Sequence, residues 1–244
     1  MRKTAMGTLA WSERVAPRDR GQTSTLEKGQ LALNMIWTAA LESGDWLRSQ
    51  LGLMTPEAVD IDTLSPPDTQ LVRDSVALAA AVQPEALTEH CWRTYYYGVL
   101  LGQQRGLTFD RSLMFSAAML HDVGLARDRR VAPGECCFAV SGGQRARGHL
   151  IACGHASDIA DKVAEAITLH LNGYVSARRH GAVAHLVNRG AMCDVFGVAR
   201  RRIATSTRET LAARHPVDGL VEALEIHTTR HLKGTRADLL VRLG

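Results

Sequence analysis

Residues 117–124 read Ala117-Ala118-Met119-Leu120-His121-Asp122-Val123-Gly124: an apolar run that ends in a histidine and an aspartate side by side, then a glycine. The pair offers an imidazole nitrogen and a carboxylate to one point in space. Whether it does chemistry depends on what else the chain brings there. His90 sits at the apolar margin of "LTEHCWRTYYYG". Asp194 is flanked by Met192, Cys193, Val195 and Phe196. A carboxylate buried in such a run and left ionised costs several kcal/mol, so it calls for a cation or a hydrogen-bond donor. A divalent metal serves both it and the His-Asp pair. His90, His121, Asp122 and Asp194 then form a set of two neutral imidazoles and two carboxylates. These are hard to borderline donors suited to Zn, Fe, Mn or Ni. Four ligands leave room for a water, and a water acidified toward pH ~7 is the nucleophile of hydrolytic metal sites. Adjacent residues on a helix point about 100° apart, so His121 and Asp122 can share one ion where a helix ends.

The elements that must hold these residues are helices. Apolar residues recur at helical spacing along most of the chain, and runs of strict alternation are missing. Helices are predicted over 26–43, over 69–82 with Asp68 as cap and Pro84 as stop, and over 85–104. Another runs over 111–122 behind Asp110. "DIADKVAEAITLHL" after Ser157 carries Ile159, Val163, Ala166, Ile167 and Leu169 near one stripe, the best amphipathic pattern in the sequence. Further helices are predicted over 181–198, 201–213 and 217–232. Residues 124–137 are expected to be a loop. Residues 1–25 show no apolar period and are expected to be a poorly ordered arm. The expected fold is all-α: a compact bundle of about eight helices, with 26–244 as one domain and its core near 60–200.

Bulk composition narrows the function. The apolar share of 45% is enough for a sizeable core. Net charge is +4 with scattered basic residues, and aromatics make up only 5%, which argues against a nucleic-acid platform. Arg178-Arg179-His180 and Arg200-Arg201-Arg202 read as solvated helix ends and loops. Five cysteines, an odd number without C-x-x-C, suit reduced thiols rather than a disulfide framework or a zinc finger. No signal peptide and no membrane span is evident, so a soluble cytoplasmic protein is expected.

The H…HD…D pattern, with 31 positions from His90 to His121 and 72 from Asp122 to Asp194, resembles the HD superfamily of metal-dependent hydrolases. The nearer likeness is to its cyanamide hydratase-like subgroup. That subgroup carries H-x-x-R-x-Y-Y-Y/F-G around the first ligand, and here His90-Cys91-Trp92-Arg93-Thr94-Tyr95-Tyr96-Tyr97-Gly98 stands in that place. It continues with L-H-D-I/V-G, matched by Leu120 to Gly124, and with a helix end like Ala166-Ile167-Thr168-Leu169-His170. Ala139 stands where the subgroup often has an acid, and the lysine of the HD-x-G-K form found in many HD phosphohydrolases is absent.

The resemblance implies an HD-type bundle with one divalent ion, zinc first among the choices, on His90, His121, Asp122 and Asp194. It implies a metal-activated water acting on a small polar molecule, a nitrile such as cyanamide. His170 then orients substrate or shuttles a proton beside Asp122. Arg93, one turn after His90, braces a ligand carboxylate. Tyr96, Tyr97 and His155 fall to the pocket or its supports, although three consecutive tyrosines cannot all face one way. The subgroup also implies a homodimer. Two alternatives stay open: an HD phosphohydrolase acting on a nucleotide or phosphate ester, and a non-catalytic metal-binding regulatory domain.

Overall fold

The computed structural model describes residues 4–56, 58–126, 136–228 and 232–243. Among them the elements run α1 (Leu9–Asp19), α2 (Thr25–Gln50), α3 (Gln70–Val82), α4 (Glu85–Gln104), α5 (Arg111–Leu120) and α6 (Phe138–Ala152). They continue through α7 (Ser157–Leu169), α8 (Ala177–Phe196), α9 (Thr205–Arg214), α10 (Leu220–Thr228) and α11 (Arg236–Leu243), with short 3₁₀ turns at Ile61–Leu64, Val123–Leu125 and Arg200–Arg202. The only strand-like pairing among the described residues is an isolated bridge between Gln22 and Thr235. The fold class is therefore all-α, a compact multi-helix bundle, as the periodicity predicts.

Local rules account for most boundaries. Asp110 caps α5 by accepting from the Leu113 amide at 3.0 Å. The cap of α3 is Thr69, which accepts from Val72, while Asp68 pairs with Arg73. Helix α7 starts at Ser157 without a side-chain cap. Its stripe of Val163, Ala166, Ile167 and Leu169 is buried.

Helices α4 and α8 form the central pair. Two glycines allow their contact. A Cβ on Gly190 would stand 2.1 Å from the Thr94 carbonyl oxygen of α4, and one on Gly98 would stand 2.9 Å from the Leu186 carbonyl oxygen of α8. The backbones meet without intervening side chains, which fixes how His90 on α4 and Asp194 on α8 face each other. The main core cluster lies around this pair and α3, α5 and α7. A second cluster joins Met6, Trp11, Val15 and Leu31 to Phe138, Val140, Leu220 and Leu240.

That second cluster corrects one expectation. The segment 1–25 is not a poorly ordered arm over its described length: residues 9–19 form α1, and Trp11 is fully buried. Thr8 caps α1 through the Trp11 amide at 3.2 Å. The Trp11 indole donates to Glu27 at 2.6 Å, and the buried Arg236 guanidinium lies 4.8 Å over its ring. Only Trp11 and Val15 supply the helical spacing, too little to register as a period, yet a tryptophan alone buries on the order of 200 Å². The expected loop at 124–137 falls mostly outside the described residues, and α6 begins at Phe138. Arg202 is not a solvated helix end: it donates to Asp45 at 2.6 and 2.5 Å.

Candidate metal centre

Four helices deliver the site. His90 lies in the second turn of α4, and His121 is the C-cap of α5. Asp122 follows as the N-cap of the Val123–Leu125 turn, and His170 is the C-cap of α7. The two C-cap histidines use the same local device. The last carbonyls of a helix have no amide partner within it. His121 Nδ1 lies 2.7 Å from the Ala118 carbonyl, and His170 Nδ1 lies 2.6 Å from the Ile167 carbonyl. A carbonyl oxygen only accepts, so each Nδ1 carries the proton and each Nε2 keeps a lone pair. Both rings are thereby locked and aimed beyond the helix end.

His90 reaches the same state by another route. Its Nδ1 lies 2.6 Å from Asp194 Oδ2. Burial alone would raise the Asp194 carboxyl, but the hydrogen bonds from His90 and Arg93 and the Arg93 charge hold it below its ordinary range. An ionised carboxylate accepts, so His90 Nδ1 donates, and in the neutral ring His90 Nε2 keeps its lone pair.

Acceptors therefore converge. His90 Nε2 stands 3.1 Å from His121 Nε2. Asp122 Oδ2 is 3.6 Å from the first and 3.3 Å from the second. His170 Nε2 adds a fourth, 3.7 Å from Asp122 Oδ1. His90, His121 and Asp122 are almost wholly buried. Among the described residues they are the one group of His, Cys, Asp and Glu whose donor atoms lie close enough together to hold a metal ion. Buried lone pairs facing one another repel, and a cation between them removes the repulsion. The donor set of two neutral imidazoles and a carboxylate fits a divalent ion of the zinc, iron, manganese or nickel type. Burial is the main cause lowering the His121 pKa, and burial followed by the neighbouring His121 takes His170 to about 3. Both stay neutral, the form in which imidazole binds metal or accepts a hydrogen bond.

Asp194 stands behind His90. Its Oδ1 accepts from Arg93 Nε at 2.8 Å and its Oδ2 from Arg93 Nη2 at 2.8 Å, beside the His90 contact. Arg93 is fully buried and also donates to the His215 and Pro216 carbonyls. The unit Arg93–Asp194–His90 fixes the tautomer and orientation of the His90 ring.

The remaining expected site residues do not line the cavity at the metal group. Tyr96 packs against Trp92 and His215, and Tyr97 is buried beside Cys193 and Asp194, with its pKa pushed up to about 12 chiefly by burial. Neither lines the cavity at the metal group. All three tyrosines are buried because α4 is surrounded on every side. His155 bonds Asp74 at 2.8 Å, away from that cavity.

A half-open cavity of about 280 Å³ ends on His90, His121, Asp122 and His170. Its walls are apolar: Leu125, Phe138, Leu171, Met192, Phe196, Leu224 and Leu240 among others, with no lysine or arginine among the described residues. The sequence reading missed the contribution of α10 and α11, whose Val221, Leu224, Ala237, Leu240 and Val241 close one side. The apolar spacing in "RADLLVRL" was the available signal.

No protein-family model matches the chain, and no curated protein matches it. What the structure itself shows is an all-helical protein with a buried His/His/Asp cluster able to hold a divalent metal ion. Among the described residues no helix is long and apolar enough to cross a membrane.

Proposed function

We propose that the chain is a cytoplasmic metal-dependent hydrolase or hydratase of the HD type, nearest the cyanamide hydratase-like subgroup, acting on a small uncharged molecule that carries an apolar group. The observation that carries this reading is the apolar cavity ending on four inward-facing acceptor atoms. His90, His121 and Asp122 would hold one divalent ion, zinc first. That ion would supply Lewis-acid activation of a water at neutral pH. The chain's own groups do the rest. Asp194 and Arg93 hold His90 in the lone-pair-inward tautomer. Asp194 acts through His90 in this assignment, because direct ligation would require its carboxylate to leave Arg93. His170 Nε2 presents an acceptor to a hydrogen on the substrate or on the attacking water. The apolar walls exclude bulk water and take up the substrate's apolar part.

A nitrile meets these demands: a polar, electrophilic carbon at one end and an uncharged body at the other. A phosphate ester would call for cations in the walls, and the described lining supplies none. The test is elemental analysis of the purified chain joined to a substrate panel of cyanamide, aliphatic and aryl nitriles, phosphomonoesters and nucleotides. Metal-dependent turnover of nitriles is expected. Turnover confined to phosphate esters would overturn the substrate class while leaving the metal site in place. Stoichiometric metal with no turnover of any kind would favour the regulatory-domain alternative.

A further inference from the structure

Helix α2 is built inside out. Its polar side chains face the protein: Asn34 donates to the Asn172 carbonyl at 2.7 Å and Thr38 to the Gly173 carbonyl at 3.0 Å. Glu42 accepts from the Ala199 amide at 2.8 Å, and Asp45 accepts from Arg202. Leu31 and Met35 also pack inward and Leu41 is half-buried, but the other large apolar side chains face outward. Leu26, Leu33, Ile36, Trp37, Leu47 and Leu51, the last at its C-cap, are each more than half exposed. At 100° per residue these six fall within one stripe about 100° wide, together with Gly29, Ala40 and Gly44. Nothing lies within 4 Å of where a Cβ would stand on Gly29 or Gly44.

The stripe reads nearly the same in both directions about its midpoint between Ile36 and Trp37. Two copies of α2 laid antiparallel across a two-fold axis there bring Leu26 against Leu47, Gly29 against Gly44, Leu33 against Ala40 and Ile36 against Trp37. Apolar meets apolar, the bulky Leu33 meets the small Ala40, and the glycines let the backbones approach. The margins agree: Gln30, Ala32, Ala39 and Ser43 carry no charge, and Arg48 falls opposite Thr25 rather than another cation. A membrane surface would instead call for basic residues along those margins. The exposed apolar area of the stripe is on the order of 700 Å² per copy, close to the roughly 800 Å² per partner of a standard stable interface. A self-complementary patch of this kind is what an isologous two-fold contact requires.

We infer that α2 is a homodimer interface, in which two copies of the chain pair antiparallel along the Leu26–Leu47 stripe. The metal site takes no part in this, so the inference stands apart from the proposed function. Sedimentation of the full chain at tens of micromolar is expected to show a dimer. The variant Leu33→Glu/Ile36→Glu is expected to sediment as a monomer with unchanged helical circular dichroism and metal content, since both side chains are exposed. The register has its own test. Under mild oxidation the double variant Leu26→Cys/Leu47→Cys should cross-link into a covalent dimer. Neither single variant should do so above the parent chain, because equivalent positions lie about 31 Å apart along the helix pair. The parent, with its exposed Cys153, is the control. A monomeric parent, a dimer that survives Leu33→Glu/Ile36→Glu, single variants that cross-link as well as the double, or a monomer that co-sediments with mixed phosphatidylcholine–phosphatidylserine vesicles would each overturn it.

Discussion

Among the described residues two histidine–aspartate clusters stand apart, and they differ in where the protons point. Around Asp74, His155 Nε2 lies 2.8 Å from a carboxylate oxygen and His149 Nε2 lies 3.0 Å from the Asp74 carbonyl. Each imidazole donates its Nε2 proton to an oxygen, and the acceptors do not converge on one point. Around Asp122 the donors point outward, to Ala118, Ile167 and Asp194, and the acceptors point at one another. A cation between them would be shared by all of those acceptors. The same residue types thus give a structural set of hydrogen bonds in one place and a cluster able to hold a metal ion in the other. What separates them is the backbone carbonyl or carboxylate behind each ring.

The largest contrast comes from removing each carboxylate. Asp122→Ala should abolish metal binding and activity together, whereas Asp74→Ala should leave metal content at the parent level and change stability by no more than about 1 kcal/mol, as expected for a partly exposed pair. Metal analysis and urea unfolding check both halves. Next in size is His170. His170→Ala should keep the metal, because the three-residue group remains intact, and should slow turnover roughly 10²-fold, the low end for a lost acid–base or hydrogen-bonding group. Loss of metal would make His170 a ligand instead.

Asp194→Asn sharpens the comparison from behind. The amide can present its NH₂ to His90, releasing the Nδ1 tautomer. Metal affinity should fall about 10–100-fold with the one-ion stoichiometry kept, which is typical of a lost supporting contact. Loss of stoichiometric binding, measured by competition with a chromophoric chelator, would make Asp194 a direct ligand.

A fourth buried histidine, outside both clusters, gives an effect confined to stability. His185 Nδ1 donates to the Val175 carbonyl at 2.5 Å and its Nε2 faces Arg105 at 3.3 Å. Burial lowers its pKa to about 4. The unfolded chain takes up this proton near pH 6.5, so the stability held above that pH should be lost as pH falls from about 6.5 to about 4, by roughly 2–3 kcal/mol from this group. The difference in unfolding free energy between the parent and His185→Gln, followed over that range, should shrink by this amount.

Much of this was legible in the sequence because it rests on local rules. Asp110 announces α5, and the stripe of α7 leads to His170. The adjacency of His121 and Asp122 after an apolar run marks where a helix ends in ligating groups. The orientation of Asp194 was not legible: a carboxylate in an apolar run demands a cation, and a metal and Arg93 answer that demand equally well on paper. Packing across α4 and α8, set by Gly98 and Gly190, brings Asp194 against Arg93 and His90. The three tyrosines could be seen to diverge, but not that α4 is enclosed on all sides. Helix α2 registered as a helix while its polarity was hidden, since periodicity reports a stripe and not which side of it faces the protein.

The central claim is that His90 and His121 present unprotonated Nε2 atoms to one shared cation. Long-range proton–nitrogen spectra of the histidine rings, recorded while the metal-free chain is titrated with cadmium-113, test it most directly. Saturation at one ion per chain is expected, with cadmium–nitrogen coupling at Nε2 of His90 and His121 and unchanged ring nitrogens for His149 and His155. Coupling at His149 or His155, or no stoichiometric binding at all, would contradict it.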